Sequence, residues 1–225
     1  MSEFYLVRHG QASFGAENYD KLSKVGHQQA KWLGNYFAER DIRFSQIYRG
    51  DMVRHRETAE GIAAGLDYSP SLIVDTGFNE FDFKNIGDSY LSCNPENRLP
   101  NNAKPAAFYR LLKLAMHDWS QDKLPQAMLE ESWHEFQSRV NDALAAVCRQ
   151  SSDNPILIVS SGGAMSMLMS LVLGLDAKQV IELNMQIRNT SISHFYFNKD
   201  TVRLSSFNNI PHLDRPDRLD SITFS

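Results

Sequence analysis

The sequence predicts an α/β fold, namely a three-layer α/β/α sandwich with a mostly parallel, doubly wound sheet and a cap insertion. The runs FYLV (residues 4–7) and ILIV (residues 156–159) are continuously apolar, which is typical of strands buried on both faces of a parallel sheet. Segments with helical periodicity lie between the two runs, and strands interleaved with helices favour double winding. A stretch rich in Asn and Pro interrupts this alternation and predicts the insertion.

The helices are predicted from apolar periodicity and capping residues. Apolar side chains fall roughly on one face within residues 22–40 and within residues 51–65, and Asp51 is the expected N-cap of the second segment. Ser132 and Glu135 have the spacing of a capping box in front of an apolar stripe.

The last third of the chain predicts one more helix and a hairpin. A helix is expected to follow Gly163 and to end near Gly174, because glycine is a common helix C-cap. The stretches ISHFYF and TVRLSSF, separated by NKD, have the pattern of two antiparallel strands.

We expect one domain over residues 1–225, with residues 83–131 as the cap insertion. The insertion contains LSCNPENRLPNNAKP and then an amphipathic stretch, and it is expected to cover the carboxyl ends of the strands, where α/β sheets bind ligands. Arg98, Lys104 and Arg110 of this cap could contact a second anionic group or could equally be solvated. Residues 208–225 form a polar tail that is expected to be loosely ordered.

Composition and charge exclude several classes of protein. With 225 residues, 42% hydrophobic residues and a formal net charge of −4, the chain has no basic excess that would suit nucleic acid. Two cysteines, Cys93 and Cys148, are too few for a disulfide framework or a zinc site. The amino-terminal sequence leaves no room for a signal peptide, and no apolar run is long enough to span a membrane. The sequence therefore predicts a cytoplasmic protein; a homodimer is possible, but no feature indicates one.

The first candidate for chemistry is LVRHGQASFG, at the expected end of the first strand. Gly10 allows a tight turn whose N–H groups can face an anion, and Arg8 offers a fork of donors that suits a phosphoryl group. A neutral His9 could be a nucleophile if its other ring nitrogen donates to a backbone carbonyl. The alternative is that Arg-His-Gly is a chance triplet at a strand end.

The second candidate is DMVRHRETAEGI. Arg54 is expected in the first turn of a helix, beside free N–H groups that favour anions, unless it is one more arginine on a solvated face. Arg56 and Glu57 are expected to be solvated. His55 should project about 100° away from Arg54 on a helix and need not share its pocket.

The third candidate is FNEFDF, in which Glu80 and Asp82 alternate with aromatic residues. A carboxyl group held among apolar rings has a raised pKa and can protonate a leaving oxygen. The alternative is an ordinary loop carboxylate.

Taken in order, VRHG, LSKVGHQQAKWLG, RHRETAEGI, FNEFDF and IVSSGG resemble the motifs of the histidine phosphatase superfamily, also called phosphoglycerate-mutase-like. The resemblance extends from Tyr5 to about Asn189, with the cap unaligned. It implies that His9 attacks phosphorus, that Arg8 and Arg54 hold the phosphoryl oxygens, and that Glu80 donates the proton. It also implies a small phosphorylated substrate, hydrolysis of the phosphoenzyme by water, and no metal or other cofactor.

The chain departs from the superfamily pattern at two places. Gln11 and Ser13 could add donors to the pocket, although the pattern more often has a hydroxyl residue at the position of Ala12. Ser161 stands where the resemblance places a second histidine, and losing one well-placed oxyanion donor costs on the order of 10²–10³ in rate. A serine donor could recover only part of that loss, because charge-assisted hydrogen bonds are the stronger ones.

Two arrangements could replace the donor that is lost when serine stands in place of the second histidine. In the one we prefer, backbone N–H groups at a helix start form an anion cradle; its residues are Ser160, Ser161, Gly162 and Gly163. In the other, a histidine from elsewhere reaches the pocket, with His212 in the tail as a better candidate than His194. Three further histidines are expected at the surface or rim: His27, His117 and His134.

The sequence thus favours a phosphatase of small-molecule phosphate esters with a phosphohistidine on His9. The alternative from another class is a catalytically impaired protein that binds or senses a phosphorylated ligand. A phosphoglycerate mutase is disfavoured, because QASFGAEN departs from the mutase pattern and because mutases are expected to need the second histidine.

Overall fold

A computed structural model of the chain describes residues 2–13, 20–100, 102–150 and 153–224. The strands are β1 (Ser2–Arg8), β2 (Gln46–Arg49), β3 (Ser71–Val74), β4 (Ile156–Ser160), β5 (Ile192–Phe197) and β6 (Val202–Asn209). The helices are α1 (Lys24–Ala38), α2 (Val53–Ala63), α3 (Phe83–Cys93), α4 (Pro105–Ser120), α5 (Trp133–Cys148), α6 (Gly162–Leu173) and α7 (Ala177–Asn184). Short 3₁₀ turns lie at Thr76–Phe78, Pro95–Asn97, Gln126–Met128 and Leu219–Ser221.

The strands form one mixed sheet in the order β3-β2-β4-β1-β5-β6. The first four strands of this order run parallel, and β5 and β6 complete the sheet as an antiparallel pair. Arg8 at the end of β1 is in register with Ser160 at the end of β4, so the residues that follow these two strands emerge side by side. The α/β architecture and the predicted hairpin of β5 and β6 are confirmed.

Helices cover both faces of the sheet, which explains why β1 and β4 are continuously apolar. Successive residues of a strand point to opposite faces. Leu6 and Ile158 accordingly belong to the core under α5 and α6, whereas Val7 and Val159 belong to the core under α1 and α2. Both faces therefore need apolar side chains at every position of the central strands.

The helix ends show which capping predictions hold. The capping box of Ser132 and Glu135 is present at the start of α5, and Gly174 ends α6 with a φ of 69°. The prediction that Asp51 caps α2 is wrong. Its carboxylate accepts a hydrogen bond from the Asn79 amide at 2.7 Å, and Asp20 supplies the acceptor for the N–H of Val53 at 2.8 Å instead.

Residues 83–131 form α3 and α4, which pack against each other, with α4 also contacting α5 and α7. The amphipathic stretch predicted in this segment is confirmed as α4, whereas α3 was not predicted. Among the described helices, none combines the length and the apolarity that crossing a membrane requires.

The expectation of a loosely ordered tail is wrong for the residues that the structure describes. Leu213 is fully buried, and the Thr223 carbonyl accepts a hydrogen bond from the backbone N–H of Asn189 at 2.9 Å. The Thr223 hydroxyl also donates to the side-chain oxygen of Asn189 at 2.8 Å. Buried polar side chains elsewhere in the fold thus bind the polar tail, which composition alone does not show.

His212 is buried in this tail, and its Nε2 lies 2.8 Å from the hydroxyl of Thr190. That hydroxyl donates to the Asn189 carbonyl, so the imidazole is the donor to it. Burial, together with the nearby charge of Arg218, lowers the pKa of His212 to about 3. His212 is therefore neutral in the folded protein at any pH well above that value.

This predicts a pH-dependent contribution to stability. Below pH about 6.5 the unfolded chain protonates His212 while the folded protein does not, so the free energy of unfolding falls as pH decreases. We expect His212→Gln to lose about 2 kcal/mol less between pH 7 and pH 5 than the unmodified protein does. Urea unfolding at both pH values measures this; an unchanged pH dependence would mean that His212 protonates in the fold.

Candidate active site

His9 follows β1 directly, and its backbone is fixed by the neighbouring elements. Its N–H donates to the Ser160 carbonyl at 2.8 Å, and its own carbonyl accepts from the side-chain amide of Asn189 at 3.0 Å. The residue is only 4% exposed. The parallel pairing of β1 with β4 thus sets where the imidazole lies.

The imidazole of His9 is neutral, with its Nε2 unprotonated. Its Nδ1 lies 2.7 Å from the Gly10 carbonyl, which can only accept, so the ring proton is on Nδ1. Burial lowers the pKa of His9 well below its usual value, and the charges of Arg54 and Arg8 lower it further. The predicted tautomer is therefore present, and Nε2 is unprotonated at neutral pH.

Two guanidinium groups line the same cavity as His9. Arg8 donates through Nη1 to the carbonyls of Ile187 and Phe224, the latter at 2.6 Å. Arg54 lies in the first turn of α2, as predicted; it is 5% exposed, and its Nη1 is 2.7 Å from the carboxylate of Asp20. Asp20 thus both caps α2 and orients the arginine, a role that the sequence did not reveal.

The RHRETAEGI motif also ties α2 to the loop after β1. The hydroxyl of Thr58 donates to the Arg54 carbonyl at 2.7 Å and accepts from the N–H of Gly10 at 3.0 Å. Glu57 accepts from the N–H of Leu22 at 2.7 Å and is only 17% exposed, so the expectation that it is solvated is wrong. Arg56 does lie on the exposed face.

The LSKVGHQQAKWLG motif supports the same loop from the other side. Buried Gln29 accepts from the N–H of Gln11 at 2.8 Å and donates to the Ser221 carbonyl at 2.7 Å and to the Thr223 hydroxyl at 3.0 Å. A Cβ on Gly26 would lie 2.2 Å from the Gln11 carbonyl, so only glycine lets α1 approach this closely. Gln29 therefore holds the loop and the tail together.

Glu80 lines the cavity and is fixed by backbone donors. One carboxylate oxygen accepts from the N–H of Gly163 at 3.0 Å and the other from the N–H of Phe81 at 3.2 Å. Asp82 has a structural role instead, because its carboxylate caps the start of α3. Arg139, which the sequence did not single out, donates to the Asn79 carbonyl at 2.8 Å and so supports the loop that carries Glu80.

Within IVSSGG, Ser160 and Gly162 pack against neighbouring segments, whereas Ser161 contacts Arg54. The Ser160 hydroxyl donates to the Phe78 carbonyl at 2.7 Å, and a Cβ on Gly162 would lie 2.5 Å from the side-chain oxygen of Asn184. Ser161 is the N-cap residue of α6, and its hydroxyl oxygen lies 3.5 Å from Nη2 of Arg54. Because Glu80 already accepts from Gly163, that N–H is engaged in this structure.

The loop residues proposed as phosphate ligands have other partners in this structure. The Gln11 side chain accepts from the Ser23 hydroxyl at 2.8 Å, and the N–H of Ser13 donates to the Lys21 carbonyl at 2.8 Å. The phosphate-binding roles of Gly10, Gln11 and Ser13 stay predictions. Most of QASFGAEN, residues 14–18, lies outside the described residues.

His55 is the histidine that sequence reasoning missed. Its Nε2 lies 2.6 Å from the Ser161 hydroxyl, and its ring centroid is 5.7 Å from that of His9. His55 follows Arg54 on α2, and both side chains contact the hydroxyl of Ser161. The candidate His212 is bound to Thr190 instead, and neither it nor His194 is among the described residues that line the cavity.

The cavity in front of His9 measures about 860 Å³ and combines cationic groups with apolar walls. Arg8 and Arg54 lie with His9 and Glu80, while Arg110 of α4 also lines the space. The apolar walls come from the cap, the neighbouring loops and the tail: Phe81, Phe83, Phe108, Leu112, Met185 and Phe224. Across the described residues, no three His, Cys, Asp or Glu side chains are grouped so as to hold a metal ion.

Residues 4–210 match the sequence profile of the histidine phosphatase superfamily (branch 1). The chain belongs to this superfamily. The chain is 28% identical over 227 residues to a probable phosphoglycerate mutase GpmB of Klebsiella pneumoniae, with 96% of this chain and 97% of that protein covered.

Solved structures of the superfamily share the fold. A phosphoserine phosphatase mutant from Entamoeba histolytica in complex with phosphoserine superposes with a TM-score of 0.66 at 22% identity, over 95% of this chain and 100% of that one. A mycobacterial glucosyl-3-phosphoglycerate phosphatase in complex with inorganic phosphate gives a TM-score of 0.64 at 18% identity, over 95% and 100% of the two chains.

The geometry predicts that Gln29 supports the candidate active site. Gln29→Leu leaves the N–H of Gln11 and the Ser221 carbonyl without their partner, and each buried unsatisfied group costs about 1–3 kcal/mol. We expect a lower free energy of unfolding in urea and earlier proteolysis of the tail. Gln28→Leu, at the exposed neighbouring position, is the matched control. Equal stability of the two variants would contradict the role of Gln29.

Proposed function

We propose that this chain is a phosphatase that hydrolyses small-molecule phosphate esters through a phosphohistidine intermediate on His9. The observation that carries the proposal is the state of His9: a buried, neutral imidazole with Nδ1–H bound to a carbonyl and Nε2 unprotonated, beside two arginines in one cavity. An imidazole in this state suits attack on phosphorus. Guanidinium groups suit the oxygens of the transferring group, because their donors match phosphoryl geometry.

The proposed reaction has two steps. Nε2 of His9 attacks phosphorus, the ester P–O bond breaks, and the carboxyl of Glu80 gives its proton to the leaving oxygen. Water then attacks the phosphohistidine, Glu80 takes a proton from that water, and the P–N bond breaks to release phosphate. Arg8 and Arg54 compensate the charge on the phosphoryl oxygens in both steps, and electrostatic compensation of this kind is a large part of phosphoryl-transfer catalysis.

We further propose that residues 83–131 act as a cap that selects the leaving group. The walls contributed by Phe83, Phe108 and Leu112 are apolar, so they favour an aromatic or aliphatic group next to the phosphate. Arg110 also lines the cavity, whereas Arg98 and Lys104 do not belong to its described lining. A second anionic group on the substrate would therefore meet Arg110 or Lys113, which also lines the cavity and pairs with Glu182 at 2.7 Å.

A second candidate function follows from Ser161. We propose that Ser161 occupies the place of the superfamily's second histidine, and a neutral serine there favours a protein that binds a phosphorylated ligand without useful turnover. His9, Arg8, Arg54 and Glu80 in one cavity favour the enzyme. The relatives named as probable phosphoglycerate mutases make mutase activity a further outcome to test, although the serine disfavours it.

The nucleophile is tested by trapping the intermediate. We expect the unmodified protein, mixed with excess aryl phosphate and quenched at alkaline pH, to carry one phosphate by intact mass and to release phosphate on standing. His9→Ala should show neither, because no other histidine is among the described residues that line the cavity. His134→Ala, which removes an exposed histidine, should behave like the unmodified protein.

The outcomes separate the candidate functions. Phosphate release that is equal in the unmodified protein and in His9→Ala would contradict the phosphohistidine mechanism. Phosphate binding by calorimetry, without adduct or release, would support the ligand-binding protein. Transfer of the phosphoryl group to a second position of phosphoglycerate, detected by phosphorus NMR, would support the mutase.

The apolar walls predict a preference for apolar phosphate esters. Phe108→Ala removes a ring from the cavity, so we expect KM for an aryl phosphate to rise roughly tenfold, as burial of an aromatic group contributes about 1.5 kcal/mol or more. KM for a small polar phosphate such as phosphoglycerate should change little. Leu114→Ala, at an exposed position of α4 outside the described lining, is the control. Equal effects on both substrates would contradict an apolar subsite.

A further inference from the structure

His55 and Ser161 form a buried pair beside His9. The Ser161 hydroxyl oxygen and Nε2 of His55 are 2.6 Å apart, and the two residues are 1% and 0% exposed. The His55 ring lies next to the ring of His9. Neither His55 nor Ser161 is among the described residues that line the cavity, but Arg54, whose Nη2 is 3.5 Å from the Ser161 hydroxyl oxygen, does line it. Any effect of His55 on a substrate must therefore pass through a neighbouring residue, and Ser161, which contacts both His55 and the lining residue Arg54, is that neighbour.

The hydrogen bond between the two side chains has a definite direction. His55 is neutral, because burial lowers its pKa well below the usual value and the charges of Arg54 and Arg49 lower it further. A neutral imidazole carries one proton, and Nδ1 is buried without a hydrogen-bond partner among the described residues, packed against Gly50. A proton on Nδ1 would be a buried donor without an acceptor, which is costly, so the proton is on Nε2 and His55 donates to Ser161.

This direction fixes the Ser161 hydroxyl. Its oxygen accepts from Nε2–H of His55 and lies 3.5 Å from Nη2 of Arg54, so donors take up its lone pairs. The hydroxyl proton must then point away from both donors, and Arg54 is itself at the cavity wall. A hydroxyl held in this way is a donor whose orientation is set before a phosphoryl group arrives.

We propose that His55 is a positioning residue that orients the Ser161 hydroxyl toward a phosphoryl oxygen, so that the two side chains together replace one histidine donor. The inference rests on the proposed phosphatase function and deepens it. It also implies that Ser161 is not a nucleophile, because an imidazole with its proton already on Nε2 cannot take the proton of the serine.

The test compares kcat and KM for an aryl phosphate across four variants. Ser161→Ala removes the hydroxyl, and we expect kcat to fall roughly 10–1000-fold with KM nearly unchanged, as for the loss of one oxyanion donor. His55→Phe keeps a ring but no donor, and kcat should fall roughly 10–100-fold. His55→Gln places an amide N–H near the position of Nε2 and should restore kcat to within a few-fold. The double variant His55→Phe/Ser161→Ala should be no worse than Ser161→Ala, because the histidine acts through the serine.

A purely structural role of His55 gives a different result. It would lower the melting temperature in His55→Phe without a loss of kcat in the folded protein, or it would give losses that multiply in the double variant. Either result overturns the proposal, as does a His55→Gln variant no better than His55→Phe. Should His55→Phe fail to fold, His55→Asn replaces it, because its shorter amide does not reach Ser161.

The same experiment separates this inference from the proposed function. Turnover that requires His9 but is unaffected in the His55 variants would contradict the inference about His55 and leave the proposed function standing. Absence of turnover and of any phosphohistidine in the unmodified protein would overturn both. A phosphoryl adduct that survives acid and disappears in Ser161→Ala would show Ser161 to be the nucleophile, with His55 as its base, and would also overturn the inference.

Discussion

The hydrogen bond from Nδ1 of His9 to the Gly10 carbonyl is the contact on which the chemistry of the site depends. It puts the only ring proton on the side away from Nε2, while burial and then the positive charges of Arg54 and Arg8 lower the pKa of His9 and oppose a second proton. The arginines proposed to hold a phosphoryl group thus also help to keep Nε2 of His9 unprotonated. A backbone carbonyl suits this purpose because it cannot donate, so it admits one tautomer only.

Maintaining that contact requires several elements to meet at one turn. Gly10 is held by Thr58 of α2, and the next residue is held by Gln29 of α1. Asp20 pairs with Arg54 and also accepts from the N–H that begins α2. VRHG and RHRETAEGI each contribute a residue that lines the cavity and a residue of the turn or its support, whereas LSKVGHQQAKWLG contributes support alone, which explains why the motifs are longer than the chemistry alone would need.

The sequence pattern predicted those strands and helix ends that depend on residues close together in the chain. The apolar runs gave β1 and β4, and Gly174 and the capping box of Ser132 gave helix ends, because strand burial and helix capping act over a few residues. The strands β2 and β3 were not predicted. QIYR and SLIV are only four residues each, and β3 is an edge strand with mostly exposed side chains, so tertiary pairing and not local pattern makes them strands.

Prediction of the site failed where contacts are distant in sequence. The triplet at Arg8–Gly10 and the helical position of Arg54 were recognisable, but the meeting of His55 with Ser161 joins residues more than a hundred positions apart. Helical geometry predicts that Arg54 and His55 diverge on α2, and of these two only Arg54 lines the cavity. It could not give the position of the α6 N-terminus, which is packed against the start of α2 and lets Ser161 contact both side chains.

The hydrogen bond between Arg8 and the Phe224 carbonyl has a consequence for the order of folding. It joins residues 216 positions apart, and Phe224 also forms part of the cavity wall. The wall of the cavity is therefore complete only when the tail has docked on Gln29 and Asn189. A chain whose tail has not docked would therefore lack both the Phe224 side of the cavity wall and the Phe224 carbonyl that holds Arg8.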